Sequence, residues 1–306
     1  MNTQIKHRDN GKINIVLQEQ HKKTNQQLAT HVLKHHRELK LIDNHFSSFI
    51  GLEHFKEIVK EIYATKLINH RREKMGLTVN RQVLHMIFTG NPGTGKTTIA
   101  RDMATILFKL NILSKGHFIE GERADLVGEY IGQTAQKTRS LVQKALGGIL
   151  FIDEAYSLAR GGHKDFGREA IDTLVKQMED HQNEFLLILA GYPAEMERFL
   201  LLNPGLKSRF PFHISFHDYD IDQLIAIAIQ IASEREYELT ENALRKLRHH
   251  LKNKTIRKPV HFANARYVRN LIEKSIRMQA IRLLANNDCS IHELMQVKAE
   301  DIQFDS

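Results

Sequence analysis

The sequence contains little cysteine and proline and no tryptophan. Its single cysteine, Cys289, cannot form an intramolecular disulfide, which is typical of a reducing compartment. Five prolines and no Pro-rich or Gly/Ser-rich run leave no sign of a flexible linker. Residues 1–10 lack the apolar segment of a signal peptide, and the longest apolar runs are far shorter than the ~20 residues of a membrane helix. These absences predict a cytoplasmic protein without a membrane span.

Charge is unbalanced toward the basic side. Lys and Arg number 44 against 36 Asp and Glu, a formal net charge of +8. Such a surface is typical of nucleic-acid binding, but it also suits an anionic nucleotide. Because no compact Lys/Arg block and no RNA-binding motif accompanies it, we do not expect nucleic acid as the partner. The 18 histidines show no metal-ligand spacing.

Short apolar runs alternate with helical patterns between residues 45 and 217. The runs that predict strands are 83–89, 117–120, 149–152, 185–190 and 213–216, and helices are predicted over 97–110 and 135–146. Buried strands between helices are typical of a parallel sheet covered on both faces, so this region is predicted to be an α/β core. Residues 218–306 carry only helical stripes, which predict a helical domain. Residues 1–44 form a polar N-terminal segment with a possible strand at 13–17, and the rest of the segment is expected to be a helix or a mobile arm.

A phosphate-binding loop follows the first predicted strand of the core. Its residues are Gly90, Asn91, Pro92, Gly93, Thr94, Gly95, Lys96 and Thr97, which match G-x-x-x-x-G-K-[ST], with Thr98 next in the nucleotide-binding run. The backbone N–H groups of such a loop and the following helix N-terminus cradle phosphates. We expect Lys96 to reach the β- and γ-phosphates and the Thr97 hydroxyl to bind Mg²⁺. ATP and Mg²⁺ are therefore the predicted ligands.

Two carboxylates end the apolar strand 149–152. Asp153 and Glu154 stand 57 and 58 residues after Lys96, in the pattern of a Walker B motif. Asp153 is expected to hold the Mg²⁺ shell. Glu154 is expected to orient or deprotonate the attacking water. Together with the loop, this pair predicts an ATPase.

These motifs, followed by a helical domain, resemble an AAA+ ATPase over about residues 46–285. The resemblance implies a parallel-sheet P-loop core with a C-terminal all-helical lid, and Ile50-Gly51 is similar to the segment that lines the adenine pocket. A narrower resemblance is to the family that contains red-type rubisco activase and the bacterial stage V sporulation protein K. The runs that carry it are 125–135, 191–192, 203–206, 208–210 and 264–266. Residues 122–130 and 151–162 are most similar to the sporulation branch.

The resemblance implies roles for residues on two loops. Tyr130-Ile131-Gly132 is similar to the aromatic-apolar-glycine loop that grips polypeptide in a ring's central pore. Arg209 resembles an arginine finger that reaches a neighbouring subunit's nucleotide, with Arg198 and Lys207 as competing cations.

Two further positions correspond to nucleotide sensors. Tyr192 resembles the first sensor, which implies a catalytic role, although related ATPases often have Asn at this position. Arg266 is similar to the lid sensor that contacts phosphate, with Arg269 as the competing candidate.

Asp165-Phe166-Gly167 spells a kinase-like motif, but no H-R-D segment or V-A-I-K strand accompanies it, and a kinase is excluded. The basic loop 160–164 could instead be a second channel loop.

The leading interpretation is a homo-oligomeric ring, a hexamer, that hydrolyses Mg-ATP and remodels an unidentified protein substrate in spore formation. A rubisco-activase-type remodeller and a nucleic-acid-loading module remain as alternatives.

Overall fold

A computed structural model describes residues 37–79, 82–130, 132–160, 165–256, 262–286 and 290–304. The possible strand at 13–17, pore-loop residue Ile131 and positions 161–164 of the basic loop lie outside them. The helices are α1 Arg37–His45, α2 Glu53–Lys74, α3 Lys96–Lys109, α4 Arg123–Leu126, α5 Gln133–Ala145, α6 Gly167–Asp180, α7 Pro193–Leu202, α8 Pro204–Lys207, α9 Ile221–Ser233, α10 Glu241–Ile256, α11 Asn264–Asn286 and α12 Ile291–Met295. The strands are β1 Met86–Gly90, β2 Phe118–Gly121, β3 Ile149–Ile152, β4 Leu186–Gly191, β5 Phe212–Phe216, β6 Glu238–Leu239 and β7 Gln296–Val297.

The core is a five-stranded sheet in the order β2-β3-β4-β1-β5, and every pairing is parallel. The register places Met86 of β1 opposite Ile188 of β4 on one side and Phe212 of β5 on the other. Because all five strands run the same way, their carboxyl ends meet at one edge of the sheet. The phosphate loop after β1 and the acid pair after β3 therefore flank the end of β4.

Buried apolar side chains cover both faces of the sheet, as the continuous apolar strands predict. All four residues of β3 and all six of β4 are buried. One apolar cluster joins the sheet to α1, α2 and α3, and a second joins it to α5, α6 and α7. Helix α1 begins before the boundary predicted at residue 44, and it buries Leu39 and Ile42 in the first cluster. The predicted α/β architecture with helices on both faces is confirmed.

The C-terminal region from α9 onward has its own apolar core. Leu224, Leu247, Leu251, Val268 and Ile272, among others, pack together there. The predicted helical lid is confirmed, with one addition: β6 and β7 pair in parallel through Glu238–Gln296 and Leu239–Val297. Two-residue strands have no periodicity, so the sequence could not indicate them. Among the described residues, no helix has the length and apolarity to cross a bilayer.

His85 is a buried titratable group at the base of β1. It is 2% exposed, its Nδ1 accepts a hydrogen bond from the Leu187 N–H at 3.0 Å, and its ring lies against Phe185 and Phe210. Burial lowers the pKa of His85 from 6.5 to about 4. The unfolded chain therefore binds a proton at higher pH than the folded chain does.

We expect His85 to make the fold acid-sensitive. As pH falls from about 6.5 to about 4, the unfolded state gains a proton that the folded state does not, and the free energy of unfolding should decrease by about 3 kcal/mol. Urea unfolding of wild type and His85→Asn at pH 7 and pH 4 measures this loss. Between pH 7 and pH 4, the free energy of unfolding of His85→Asn should decrease by about 3 kcal/mol less than that of wild type. Equal decreases would contradict the role assigned to His85.

Candidate functional site

The phosphate loop, residues 90–97, turns tightly between β1 and α3. Gly93 and Gly95 have φ values of 70° and 93°, in the left-handed region that glycine adopts without strain. The Thr94 hydroxyl donates to the Asn91 carbonyl at 2.9 Å and closes the turn. Gly95 directly precedes α3, so the loop leads into the positive end of a helix dipole. This is the local structure that the motif predicts.

Lys96, the first residue of α3, is held inside this loop. Its Nζ donates to the carbonyls of Gly90 and Asn91, at 2.9 and 3.0 Å. Burial lowers the pKa of Lys96, while the nearby charge of Asp153 opposes that shift. A largely buried ammonium that is hydrogen-bonded to two neutral carbonyls is stabilised further when an anion binds beside it.

The acid pair stands across a cavity of about 250 Å³ from this lysine, and Thr97 and Thr98 line the same cavity. Glu154 adopts a left-handed backbone, with φ 44°, and its N–H donates to Asp153 Oδ1 at 2.9 Å. A non-glycine residue in that region carries strain, which is common at functional sites. The strain turns the chain sharply at the end of β3.

The residues at this cavity fit a magnesium ion. Hydroxyl and carboxylate oxygens, here from Thr97 and Asp153, are the ligands that Mg²⁺ prefers in proteins. No group of three His, Cys, Asp or Glu side chains in the described part of the chain could hold a metal by itself. The ion would therefore be bound together with nucleotide phosphates, as is usual for Mg²⁺.

Two tyrosines form another wall of the cavity. Tyr192, which follows β4, stacks on Tyr156 with ring centroids 5.9 Å apart. A Cβ on Gly191 would lie 2.8 Å from the Tyr156 ring, so the close packing requires glycine there. Burial, and next the charge of Glu154, raise the pKa of Tyr156, which keeps its phenol neutral. Tyr156 is not predicted from the sequence, since an alanine-tyrosine pair after two acids is also typical of ordinary core.

Two lid arginines complete the cavity from α11. Arg266 and Arg269 both line it, and the charge of Arg266 contributes to the lowered pKa of Lys96. The structure thus brings the predicted sensor Arg266 to the same cavity as Lys96, and it brings the competing Arg269 there as well.

Ile50 and Gly51 lie at a neighbouring cavity of about 540 Å³ between core and lid. Thr94 of the phosphate loop and Tyr219 and Gln223 of the lid line it too. Gly51 has φ 75°, and a Cβ there would lie 2.9 Å from the Gln223 side chain. The predicted adenine segment is therefore adjacent to the phosphate loop.

Arg209 is placed apart from the site. It does not line either cavity; its guanidinium pairs with Glu179 of α6 and donates to the Gly205 carbonyl at 2.7 Å. Within one chain, Arg209 and the acid pair are separate.

The loop that carries Tyr130 has an anchored base and an exposed tip. Gly128 N–H donates to the Thr134 hydroxyl at 2.9 Å, and the Thr138 hydroxyl donates to the Leu126 carbonyl at 3.1 Å. The Tyr130 side chain is 67% exposed, and Gly132 caps α5 with φ 85°. The Tyr130 ring is thus exposed to solvent on a loop whose base is held by hydrogen bonds.

Two family models match the chain. Residues 86–218 match the ATPase family associated with various cellular activities, AAA, and residues 220–306 match the AAA lid domain. The fold resembles a RuvB mutant from Thermotoga maritima with a TM-score of 0.53 at 19% identity, covering 83% of this chain and 68% of that one. That likeness concerns the fold alone.

Similar curated proteins cover nearly the whole chain. Stage V sporulation protein K of Bacillus subtilis is 54% identical, covering 98% of this chain and 96% of that protein. The chloroplastic ribulose bisphosphate carboxylase/oxygenase activase of Cyanidioschyzon merolae is 42% identical, covering 86% and 90%. Protein CbbX of Cereibacter sphaeroides is 42% identical, covering 83% and 82%.

Proposed function

This chain belongs to the ATPase family associated with various cellular activities, and from that premise we propose that it assembles as a hexameric ring that remodels a protein substrate through a central pore. It is a nucleotide-binding ATPase with a lid domain. The observation that supports the proposal best is the cavity shared by Lys96, Thr97, Asp153 and Glu154, from which Arg209 is absent. A site that its own Arg209 does not reach is suited to the contribution of Arg209 from a neighbouring subunit.

The proposed chemistry follows from the cavity's side chains. Lys96 binds the β- and γ-phosphates in place of its two carbonyl partners. Thr97 and Asp153 hold Mg²⁺, which, when bound, neutralises phosphate charge. Glu154, an exposed carboxylate at the cavity, orients the attacking water and accepts its proton. Arg266 contacts phosphate from the lid.

Lys96→Ala should weaken ATP binding by about a hundredfold, because the loop loses charge-assisted hydrogen bonds worth roughly 1.5–3 kcal/mol each. Calorimetric titration with ATP measures the loss. Lys109→Ala, at the far end of the same helix, is the matched control and should bind normally. Unchanged ATP affinity in Lys96→Ala would mean that this loop does not bind the phosphates.

The substrate is proposed to be a polypeptide because of the Tyr130 loop. An exposed aromatic ring gives contact area that tolerates different sequences, and Gly132 allows the loop to move. The similarity to stage V sporulation protein K supports a role in bacterial spore formation, and the single cysteine is consistent with work in the cytoplasm.

Tyr130→Ala should separate ATP turnover from the biological task. Basal ATPase should stay at the same order of magnitude, since Tyr130 does not line the nucleotide cavity. Spore formation in a host that lacks its own copy should be lost, and Tyr130→Phe, which keeps the ring, should restore it. Normal spore formation with Tyr130→Ala would contradict the pore role. Loss of basal ATPase with an intact fold would instead assign Tyr130 to the nucleotide site.

A rubisco-activase-type activity is the second candidate, favoured by the 42% identity to the Cyanidioschyzon merolae activase. Stimulation of ATPase by rubisco with its sugar bisphosphate would support this candidate over sporulation.

A further inference from the structure

The lid contacts the phosphate loop directly at the start of α11. The Ala265 N–H donates to the Gly93 carbonyl at 3.1 Å. A Cβ on Gly93 would lie 2.2 Å from the Ala263 carbonyl oxygen and 2.8 Å from the Arg266 nitrogen. Only glycine fits this approach, so the loop and the helix that carries Arg266 are in contact without a side chain between them.

Asn264, the first residue of α11, fixes this contact from within. It is fully buried, and its backbone has φ 42°, a conformation that asparagine tolerates better than most residues. Its Nδ2 lies within hydrogen-bond distance of Asp218 Oδ1 (2.8 Å), the Phe262 carbonyl (2.9 Å) and the Pro92 carbonyl (3.3 Å). Its Oδ1 accepts from the Tyr219 N–H at 3.0 Å. One buried amide thus joins the phosphate loop, the lid and the segment between them.

Asp218 carries the connection back to the loop. It follows β5 at the junction of core and lid, and both its carboxylate oxygens accept from Asn91 Nδ2, at 2.9 and 3.0 Å. Tyr219, the next residue, donates its hydroxyl to the Thr94 carbonyl at 3.1 Å. Asn91, Asp218 and Asn264 therefore form a continuous set of hydrogen bonds, named here the lid clasp.

We propose that the lid clasp transmits occupancy of the phosphate loop to the lid and sets the position of Arg266. Phosphates that enter the loop draw Lys96 away from the backbone carbonyl of Asn91, the first residue of the clasp. Because the buried Asn264 amide is hydrogen-bonded both to Asp218 and to the Pro92 carbonyl of the phosphate loop, the displacement of the loop is carried to α11 rather than absorbed between them. Asn264 and Asp218 are positioning residues that act through Arg266. Neither lines the phosphate cavity, and Asp218 lines the neighbouring cavity at Ile50 and Gly51. The Arg266 part of this inference rests on the proposed function.

The first experiment follows amide exchange in the lid, with Asp218→Ala as the variant. Asp218 is exposed, so its removal should leave the fold intact. The control is Asp222→Ala, which removes the same charge from an ion pair with Arg248 inside the lid. Without nucleotide, amides of residues 262–270 should exchange faster in Asp218→Ala than in wild type or the control. Equal amide exchange in all three nucleotide-free proteins would show that the clasp does not hold the lid, whatever the role of ATP.

The second arm adds the non-hydrolysable ATP analogue AMP-PNP at saturation. AMP-PNP should slow amide exchange of residues 262–270 in wild type and in Asp222→Ala. It should also bind Asp218→Ala, but there the exchange rate of these residues should not change. The same protection in Asp218→Ala would overturn the proposal. Failure of AMP-PNP to bind wild type would instead count against the proposed function, and the nucleotide-free comparison would still decide the clasp.

A double-mutant cycle tests the link to Arg266. Arg266→Ala should weaken ATP binding about tenfold in wild type and less than about twofold when Asp218 is already alanine. Full additivity would overturn the coupling to Arg266. If Arg266→Ala lowers ATP affinity neither in wild type nor in Asp218→Ala, the role proposed for Arg266 is wrong. The exchange measurements would then decide whether the clasp holds the lid.

Discussion

Arg209→Ala is expected to leave ATP binding intact and to slow hydrolysis by about 10³-fold or more. A fixed cation at the transferred phosphoryl group stabilises the charge that develops there, and arginine fingers contribute about 10³–10⁵ in rate. Arg209 does not line the nucleotide cavity of its own chain, so the loss should not reach the binding step. Titration with ATP and steady-state phosphate release, measured on the same preparations, separate the two effects.

The neighbouring cations supply matched controls for that variant. Arg198 and Lys207 are exposed, as a finger residue would be, and either could be mistaken for the finger in the sequence. Arg198→Ala and Lys207→Ala should hydrolyse ATP within about twofold of wild type. A large loss in one of them with normal turnover in Arg209→Ala would transfer the role to that residue.

Arg209 needs to leave Glu179 before it can reach another subunit. Their ion pair lies at the surface, with the Arg209 side chain 31% exposed and the Glu179 side chain 52% exposed. Surface ion pairs contribute about 0–1 kcal/mol to stability. Arg209 can therefore leave Glu179 for a neighbouring subunit at little cost in free energy.

Glu154→Gln should bind ATP normally and hydrolyse it about 10²–10⁴-fold more slowly. The amide keeps the size of the side chain but cannot accept a proton from the attacking water. Phosphate release under saturating ATP measures the rate, and calorimetric titration confirms that binding is preserved. The same variant should hold its protein substrate without releasing it, so a pull-down with it would identify that substrate.

Glu241→Gln is the control for this change, because it makes the same substitution at an exposed helix start in the lid. It should match wild type. Near-normal turnover by a folded Glu154→Gln protein would mean that another group prepares the water, and Asp153 and Tyr192 at the same cavity would be the next to test.

The sequence predicted the parts of the site that depend on strand direction. Once β1 and β3 are both buried parallel strands, Lys96 and Asp153 meet at one sheet edge whatever the detailed packing. The helical lid could be predicted for a similar reason, since stripes such as Leu244, Leu247 and Leu251 repeat at helical spacing.

What the sequence did not reveal depends on contacts between distant segments. Tyr156 enters the cavity because Gly191 leaves room for its ring, and no periodicity records that pairing. Asn264 stands in the sequence as one letter of a sensor motif, but its burial and its bonds to Asp218 exist only after the lid docks on the core. Helix α1 begins within the polar segment 1–44, for which the sequence allowed either a helix or a mobile arm, and its packing through Leu39 and Ile42 is visible only in the structure.

ATPase activity in mixtures of Lys96→Ala and Arg209→Ala subunits tests the central claim most directly. Lys96→Ala subunits lack a working phosphate loop but can supply Arg209 to neighbours that still bind ATP. If Arg209 completes the site across a subunit interface, mixed assemblies should hydrolyse ATP well above the sum of the two separate variants. If co-purification through two different tags demonstrates mixed assemblies and activity still does not rise, Arg209 does not act between subunits, and the account of a shared site is contradicted.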